Sequence, residues 1–149
     1  MGEILIEKGL ITPEQLKSAL GEQQRTKEFL GAILVRRKQI KERDLLEALS
    51  EQFNMAFIGL KDKYIDWSMV KQFSPALILD HKCFPIQKDK WSITMAITNP
   101  FLDTQTLKRA EEEARGLGVR YVLVTQADMQ EIIQRYKQYL RGNISRLFE

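Results

Sequence analysis

Four groups of residues in this chain are of types that could do chemistry, and each can be weighed by type and spacing. His81 and Cys83 are the only histidine and the only cysteine. Nucleophilic catalysis needs a thiol within reach of a base that a third group orients, and two positions apart at the start of a strand is poor geometry for that. A metal site would need further ligands at fixed spacing, and no spacing supplies them. The basic run at residues 35–43 has a plain reading as a solvated face. Its functional reading is a phosphate or acidic-partner site, with Arg36 and Arg37 as the contacts. Glu111 to Glu113 read as a solvated helix face. Finally, Gly116 and Gly118 follow a helix, not a strand, and lack a third glycine, so they read as a helix stop and not as a dinucleotide loop. No G-x-x-x-x-G-K-[ST] run is present to cradle a triphosphate. These residues point to binding, not to a reaction: the chain is read as a non-enzyme with no catalytic residue, no metal and no obligate cofactor.

The elements that carry these residues must come from 149 residues, 44% of them apolar and 29% charged, with a net charge of +3. That suits one ordinary domain or two small ones with a real core. A single cysteine excludes an internal disulfide and fits a reducing compartment. No apolar run approaches the roughly 20 residues that span a bilayer, and Glu3 and Glu7 interrupt the apolar start, which is unlike a secretory signal. The expectation is a cytoplasmic chain, peripheral to the inner membrane only through a partner and without direct insertion.

The strongest pattern is an internal repeat. Residues 1–24 laid on residues 30–53 at an offset of 29 match at nine of 24 positions. The pairs are Gly2/Gly31, Ile4/Ile33, Leu5/Leu34, Ile11/Ile40, Leu16/Leu45, Ala19/Ala48, Leu20/Leu49, Glu22/Glu51 and Gln23/Gln52. Each copy reads as a short helix, a tight turn and a longer helix. Gly9 stands where the first helix must stop. Thr12, Pro13 and Gln15 supply an N-cap, a first helical residue and a capping box for the second. Leu16, Ala19, Leu20 and Gln23 recur at helical spacing, as do Leu45, Ala48, Leu49 and Gln52. Neither hairpin can bury its face alone, so the two should pack together as a four-helix unit over residues 1–53.

From residue 54 the pattern changes to that of a small α/β subdomain, residues 54–141. Residues 55–58 read as a short strand, Asp66 as the cap of a helix, and Ser74-Pro75 as the start of a helical turn. Residues 83–86 and 91–97 read as strands joined by a hairpin loop at 87–90. A charged helix from Thr104 to Arg115, a buried strand at 119–124 and a last helix from Thr125 complete a sheet of three or four strands. Met129, Ile132, Ile133 and Tyr136 form the inner face of that last helix. Residues 142–149 read as a tail or linker. The fold class is α+β.

The repeat resembles the tandem motif in the N-terminal domain of the ATPases that drive type II secretion and type IV pilus assembly. Copy two gives Leu30-Gly31, Leu34-Val35, Ile40, Leu45, Ala48-Leu49 and Gln52. Copy one gives Gly2, Leu5-Ile6, Gly9, Ile11, Leu16, Ala19-Leu20 and Gln23. Pro75, residues 82–86, Met95-Ala96, Asn99-Pro100 and Gly116 follow in the family's order. The resemblance implies a module ahead of a motor ATPase, present in cis or in trans. It docks onto the cytoplasmic domain of an inner-membrane platform protein, binds cyclic di-GMP as a regulatory ligand, or does both. The ligand residues implied are Gly2, Leu5, Gly9, Ile11, Leu16, Gln23, Phe29, Leu30, Gly31, Leu34, Val35, Lys38, Ile40, Leu45 and Gln52. Two departures stand out. Phe29 replaces the motif arginine of copy two, whose counterpart in copy one is absent, and Lys38 replaces the second motif glycine.

Docking is therefore the first expectation and cyclic di-GMP binding the alternative. DNA binding by a helix-turn-helix is excluded by charge, since residues 1–53 carry nine basic and nine acidic side chains and offer phosphates no net field.

Overall fold

The computed structural model describes residues 1–61 and 63–147. The chain forms two compact units, Met1–Met55 and Ala56–Glu149.

The first unit holds four helices: α1 (Gly2–Glu7), α2 (Pro13–Thr26), α3 (Leu30–Arg36) and α4 (Glu42–Phe53). α2 starts as its sequence dictates: Thr12 Oγ1 accepts from Gln15 N at 3.1 Å, and Thr12 N donates to Gln15 Oε1 at 2.9 Å. α4 has no such cap at Lys41 and carries Glu42 and Asp44 in its first turn instead, where acidic side chains favour the positive end of the helix dipole. The hairpins pack crosswise, α1 on α4 and α2 on α3. Leu5, Ile11, Leu34, Ile40, Leu45 and Leu49 are among the side chains buried here.

The second unit is built on a three-stranded sheet in the order β1-β2-β3, with β1 at Phe84–Lys88, β2 at Ser92–Ile97 and β3 at Gly118–Leu123. β1 and β2 are antiparallel; β2 and β3 are parallel. A parallel pair needs a crossover, and α6 (Thr104–Glu113) supplies it, started by Asp103, whose carboxylate accepts from Thr106 N at 2.6 Å. α5 (Trp67–Val70) is capped by Asp66, and a π-helical turn (Ala76–Asp80) follows Ser74-Pro75. The last helix, α7 (Gln126–Leu147), buries Met129, Ile132, Ile133 and Tyr136.

Four details differ from the sequence reading. Residues 55–58 make only one bridge, Phe57 with Leu123, because Asn54 in a left-handed turn and the nearby Gly59 leave little extended chain between them. β1 runs on through Lys88, and the hairpin turns at Asp89, whose side chain accepts from Trp91 N and Ser92 N, each at 2.7 Å. That is the turn chemistry aspartate favours. α7 continues past Gly142 to Leu147 in the segment read as a tail. A helix already nucleated adds a hydrogen bond per residue, and one glycine costs about 1 kcal/mol without ending it. The rest of that tail, Phe148 and Glu149, lies outside the described residues. Finally, Glu113 is not solvated like Glu111 and Glu112. Its carboxylate accepts from Ser74 N, from Ser74 Oγ at 2.8 Å and from Arg109 Nε at 3.0 Å. It therefore fastens the π-helical turn to α6.

Candidate functional site

The repeated residues build two hairpins of the same backbone design. In copy one Lys8 N donates to Ile4 O, Gly9 N to Ile6 O and Leu10 N to Leu5 O, at 3.0, 2.9 and 2.9 Å. In copy two Arg37 N donates to Ile33 O, Lys38 N to Val35 O and Gln39 N to Leu34 O, at 3.0, 2.9 and 3.0 Å. Each bond is the other shifted by the repeat length. The turn survives the loss of its glycine: Gly9 has φ +71° and Lys38 has φ +60°. A side chain with a Cβ is disfavoured in that left-handed region by about 1–2 kcal/mol. Lys38→Gly is accordingly expected to raise stability by about 0.5–1 kcal/mol, net of the extra freedom glycine gives the unfolded chain. Urea unfolding would show it, and an unchanged or lower midpoint would contradict the strain assigned to this turn.

The matched glycines have a packing role. A Cβ on Gly2 would lie 2.6 Å from Leu16 Cδ1, and a Cβ on Gly31 would lie 2.6 Å from Leu45 Cδ2 and 2.8 Å from Phe29 Cε1. Each glycine lets the leucine of its own long helix close on the short one. The site residues read from the sequence then divide by exposure. Leu5, Ile11, Leu30, Gly31, Leu34, Ile40 and Leu45 are buried. Gly2, Leu16, Gln23, Phe29 and Val35 are half-buried, and Gly9, Lys38 and Gln52 are exposed.

The two arginines singled out for phosphate are already engaged. Arg36 Nη2 lies 2.9 Å from Glu22 Oε2 and 3.3 Å from Glu28 Oε1. Arg37 Nε lies 3.4 Å from the same Glu22 oxygen, and its Nη1 donates to Ser18 Oγ at 2.9 Å. Gln23 Nε2 donates to Glu28 O at 3.1 Å. A phosphate at Arg36 or Arg37 must therefore displace a carboxylate that already makes charge-assisted bonds. Sequence reading missed Glu22, Glu28 and Ser18, whose partners lie across the hairpins. It also missed Gln39, whose buried Oε1 has no hydrogen-bond partner among the described residues.

One concave surface opens on the first hairpin, a groove of about 440 Å³ lined by Ile6, Pro13, Leu16, Lys17, Leu20, Gly21 and Gln24. Of the site residues read from the sequence, only Leu16 lines it. Leu20 is 41% exposed, whereas its repeat partner Leu49 is 0% exposed. The pattern of α4 hints at the difference: Leu46 and Phe53 stand where α2 has Lys17 and Gln24, so α4 carries the wider apolar arc.

In the second unit His81 Nδ1 lies 2.7 Å from Thr106 Oγ1. Burial, with the charge of Asp103, pushes the Cys83 thiol up to about 12. It stays a neutral thiol near pH 7, the opposite of an activated nucleophile. Among the described residues no group of three or more His, Cys, Asp or Glu could hold a metal ion. No helix there is long and apolar enough to cross a membrane.

Comparisons place this architecture among known proteins. The family model described as MshEN domain matches residues 53–143. The type IV pilus assembly ATPase PilB of Myxococcus xanthus is 28% identical over 138 residues, 91% of this chain and 24% of the relative. The protein of the same name from Thermus thermophilus is 47% identical over 58 residues, 39% of this chain and 6% of the relative. The chain thus spans a quarter or less of either relative. A structure of MshE with cdg superposes with a TM-score of 0.81 at 22% identity, covering 91% of this chain and 96% of that one. A structure of the N-terminal domain of XpsE gives 0.71 at 19% identity, covering 89% and 90%. Both share the fold.

Proposed function

The chain belongs to the MshEN domain family, and from that premise we propose that it is a non-catalytic docking module of a type II secretion or type IV pilus assembly ATPase. It would bind a cytoplasmic part of an inner-membrane platform protein and so link that protein to a motor domain, in cis or in trans. The observation that carries this reading is the open apolar groove beside Leu20. A concave apolar surface left open on a folded unit offers a partner side chain a place to be buried, and the equivalent face of the second hairpin is already covered. The occupied arginines point the same way, because Glu22 and Glu28 already neutralise the cations that an anionic ligand would need.

The expected result is that Leu20→Asp weakens capture of the platform protein's cytoplasmic domain at least tenfold, since an unpaired carboxylate would have to be buried in the interface. Helix content by circular dichroism should not change, because the side chain faces solvent. A variant that binds as tightly as the parent chain would remove the groove from the interface. Failure of the parent chain to bind any platform protein at high micromolar concentration would end the docking reading.

The second reading is a cyclic di-GMP receptor, with cdg read as that nucleotide. It is favoured by the fold shared with MshE and by the two hairpin turns of equivalent backbone, at Gly9 and Lys38. Calorimetry decides it, since a flat titration to high micromolar ligand would rule it out.

A further inference from the structure

The second unit carries a feature that docking through the first does not use. Residues 87–91 are exposed without a break, and they end in Trp91, which is 81% exposed. The ring is not on a loose loop. Trp91 N donates to Asp89 Oδ1 at 2.7 Å, and Trp91 O accepts from Gly118 N at 2.9 Å. The backbone is fixed and the indole is held out into solvent. Lys88 ends β1, paired across from Ile93, while Arg120 pairs across from Thr94, so the two leave opposite faces of the same end of the sheet. With Lys90 they set three cations around one end of the sheet, Lys88 within electrostatic reach of Asp66 and Arg120 within reach of Asp89. None of the three is within an ion-pair distance of a carboxylate among the described residues. The one acid of the turn, Asp89, is bound to the N–H groups of Trp91 and Ser92.

We propose that this hairpin tip is an interfacial anchor that seats Trp91 among the headgroups of an anionic lipid bilayer, with Lys88, Lys90 and Arg120 against the lipid phosphates. Tryptophan and lysine are the pair that suits this boundary. The indole has an apolar body and a polar N–H, and lysine lays an apolar stem along the surface while its charge meets the headgroups. Anionic leaflets attract such basic segments. A protein partner would more naturally meet several apolar anchors around a pocket. A single-stranded nucleic acid needs a groove that tracks its backbone, and an isolated ring at a hairpin end offers neither. The contact is direct, unlike the partner-mediated approach expected from the sequence, but it needs no spanning segment.

Co-sedimentation of the whole chain with phosphatidylcholine vesicles, with and without phosphatidylglycerol, tests this. At low salt the chain should pellet only with the phosphatidylglycerol vesicles. Trp91 emission should shift to the blue, and both effects should fade as salt rises. Lys90→Gln should weaken binding about fivefold, the share of one basic residue near such a surface. Trp91→Ala should weaken it at least as much and abolish the shift, since the remaining Trp67 is stacked on Tyr139. No pelleting of the parent chain would overturn the proposal, as would binding that neither substitution changes. A Trp91 shift produced without vesicles by an oligonucleotide or by polyglutamate would assign the tip to another class of partner and equally overturn it.

Discussion

Phe84→Ala should lower the stability of the second unit by about 3–5 kcal/mol, the usual range for removing a fully buried phenyl ring. Phe84 opens β1 and is 0% exposed. Its ring meets Trp67 edge-on at 6.3 Å between centroids, and Tyr136 edge-on at 6.2 Å. Trp67 in turn stacks on Tyr139 at 5.0 Å, with Arg135 5.8 Å from its centroid. The phenyl ring therefore joins β1, α5 and α7, and deleting it leaves the rings of α5 and α7 facing a void that neither can fill without leaving the other. For a chain of this length the loss corresponds to a fall in melting temperature of roughly 10 °C. Because the chain forms two units, the fall is best followed by amide exchange at β2 alongside the thermal melt. Phe84→Leu, which keeps most of the volume, should cost less than about 1.5 kcal/mol. A drop below about 3 °C for the alanine variant would show that the aromatic cluster closes over the gap and does not hold the unit together.

The second large effect is expected at Gly31, and its contrast with Gly2 matters more than its size. In both copies a Cβ would strike a leucine methyl at 2.6 Å. Leu45 is 4% exposed and cannot swing aside, and Phe29 blocks the other direction. Leu16 is half-buried and lines the open groove, so it can turn away. Gly31→Val should therefore destabilise the first unit by about 2 kcal/mol through overpacking, and Gly2→Val by less than half as much. Urea unfolding followed by helical circular dichroism compares them. Equal effects would mean that the two hairpins share their environments as well as their sequence. The same clash makes Gly31 a poor probe of any ligand: a bulky residue there, such as Gly31→Arg, would abolish binding by disturbing the packing whether or not a nucleotide touches the glycine.

What could be read from sequence in this molecule was local or repeated. The hairpins were legible because the nine identities include the glycine and the leucine of the contact in each copy, although the turn residue itself differs, Gly9 in one and Lys38 in the other. The capping box at Thr12 was legible for the same reason, since its partners are three residues apart. What escaped depends on neighbours brought from elsewhere. Leu20 and Leu49 are matched in the repeat, yet one is exposed and the other buried. The basic run was visible, but not that Glu22, 14 positions before Arg36, would neutralise it. Glu113 looked like one of three solvated acids until the fold set Ser74 against it, 39 positions away in sequence. The candidate site follows the same rule: seven of the fifteen residues read from the motif are buried in the core, while the open groove depends on which apolar faces the fold leaves uncovered.

The sheet's margins have a consequence for how this molecule can be recognised. On the β3 side, Leu123 N donates to Ala56 O at 2.7 Å and Ile58 N donates to Leu123 O at 3.0 Å, so the incoming chain already occupies the Leu123 end of that border. On the β1 side, Pro85 has no N–H to offer, and the pairing register slips just beyond it. Proline and such irregularities are how natural sheets refuse an added strand. A strand added by main-chain pairing would meet a proline and a slipped register on one margin and an end already taken on the other, so neither margin favours pairing along its whole length. Partners are left to read side chains, which makes single substitutions at Leu20 or Trp91 informative where a backbone-mediated contact would have hidden them.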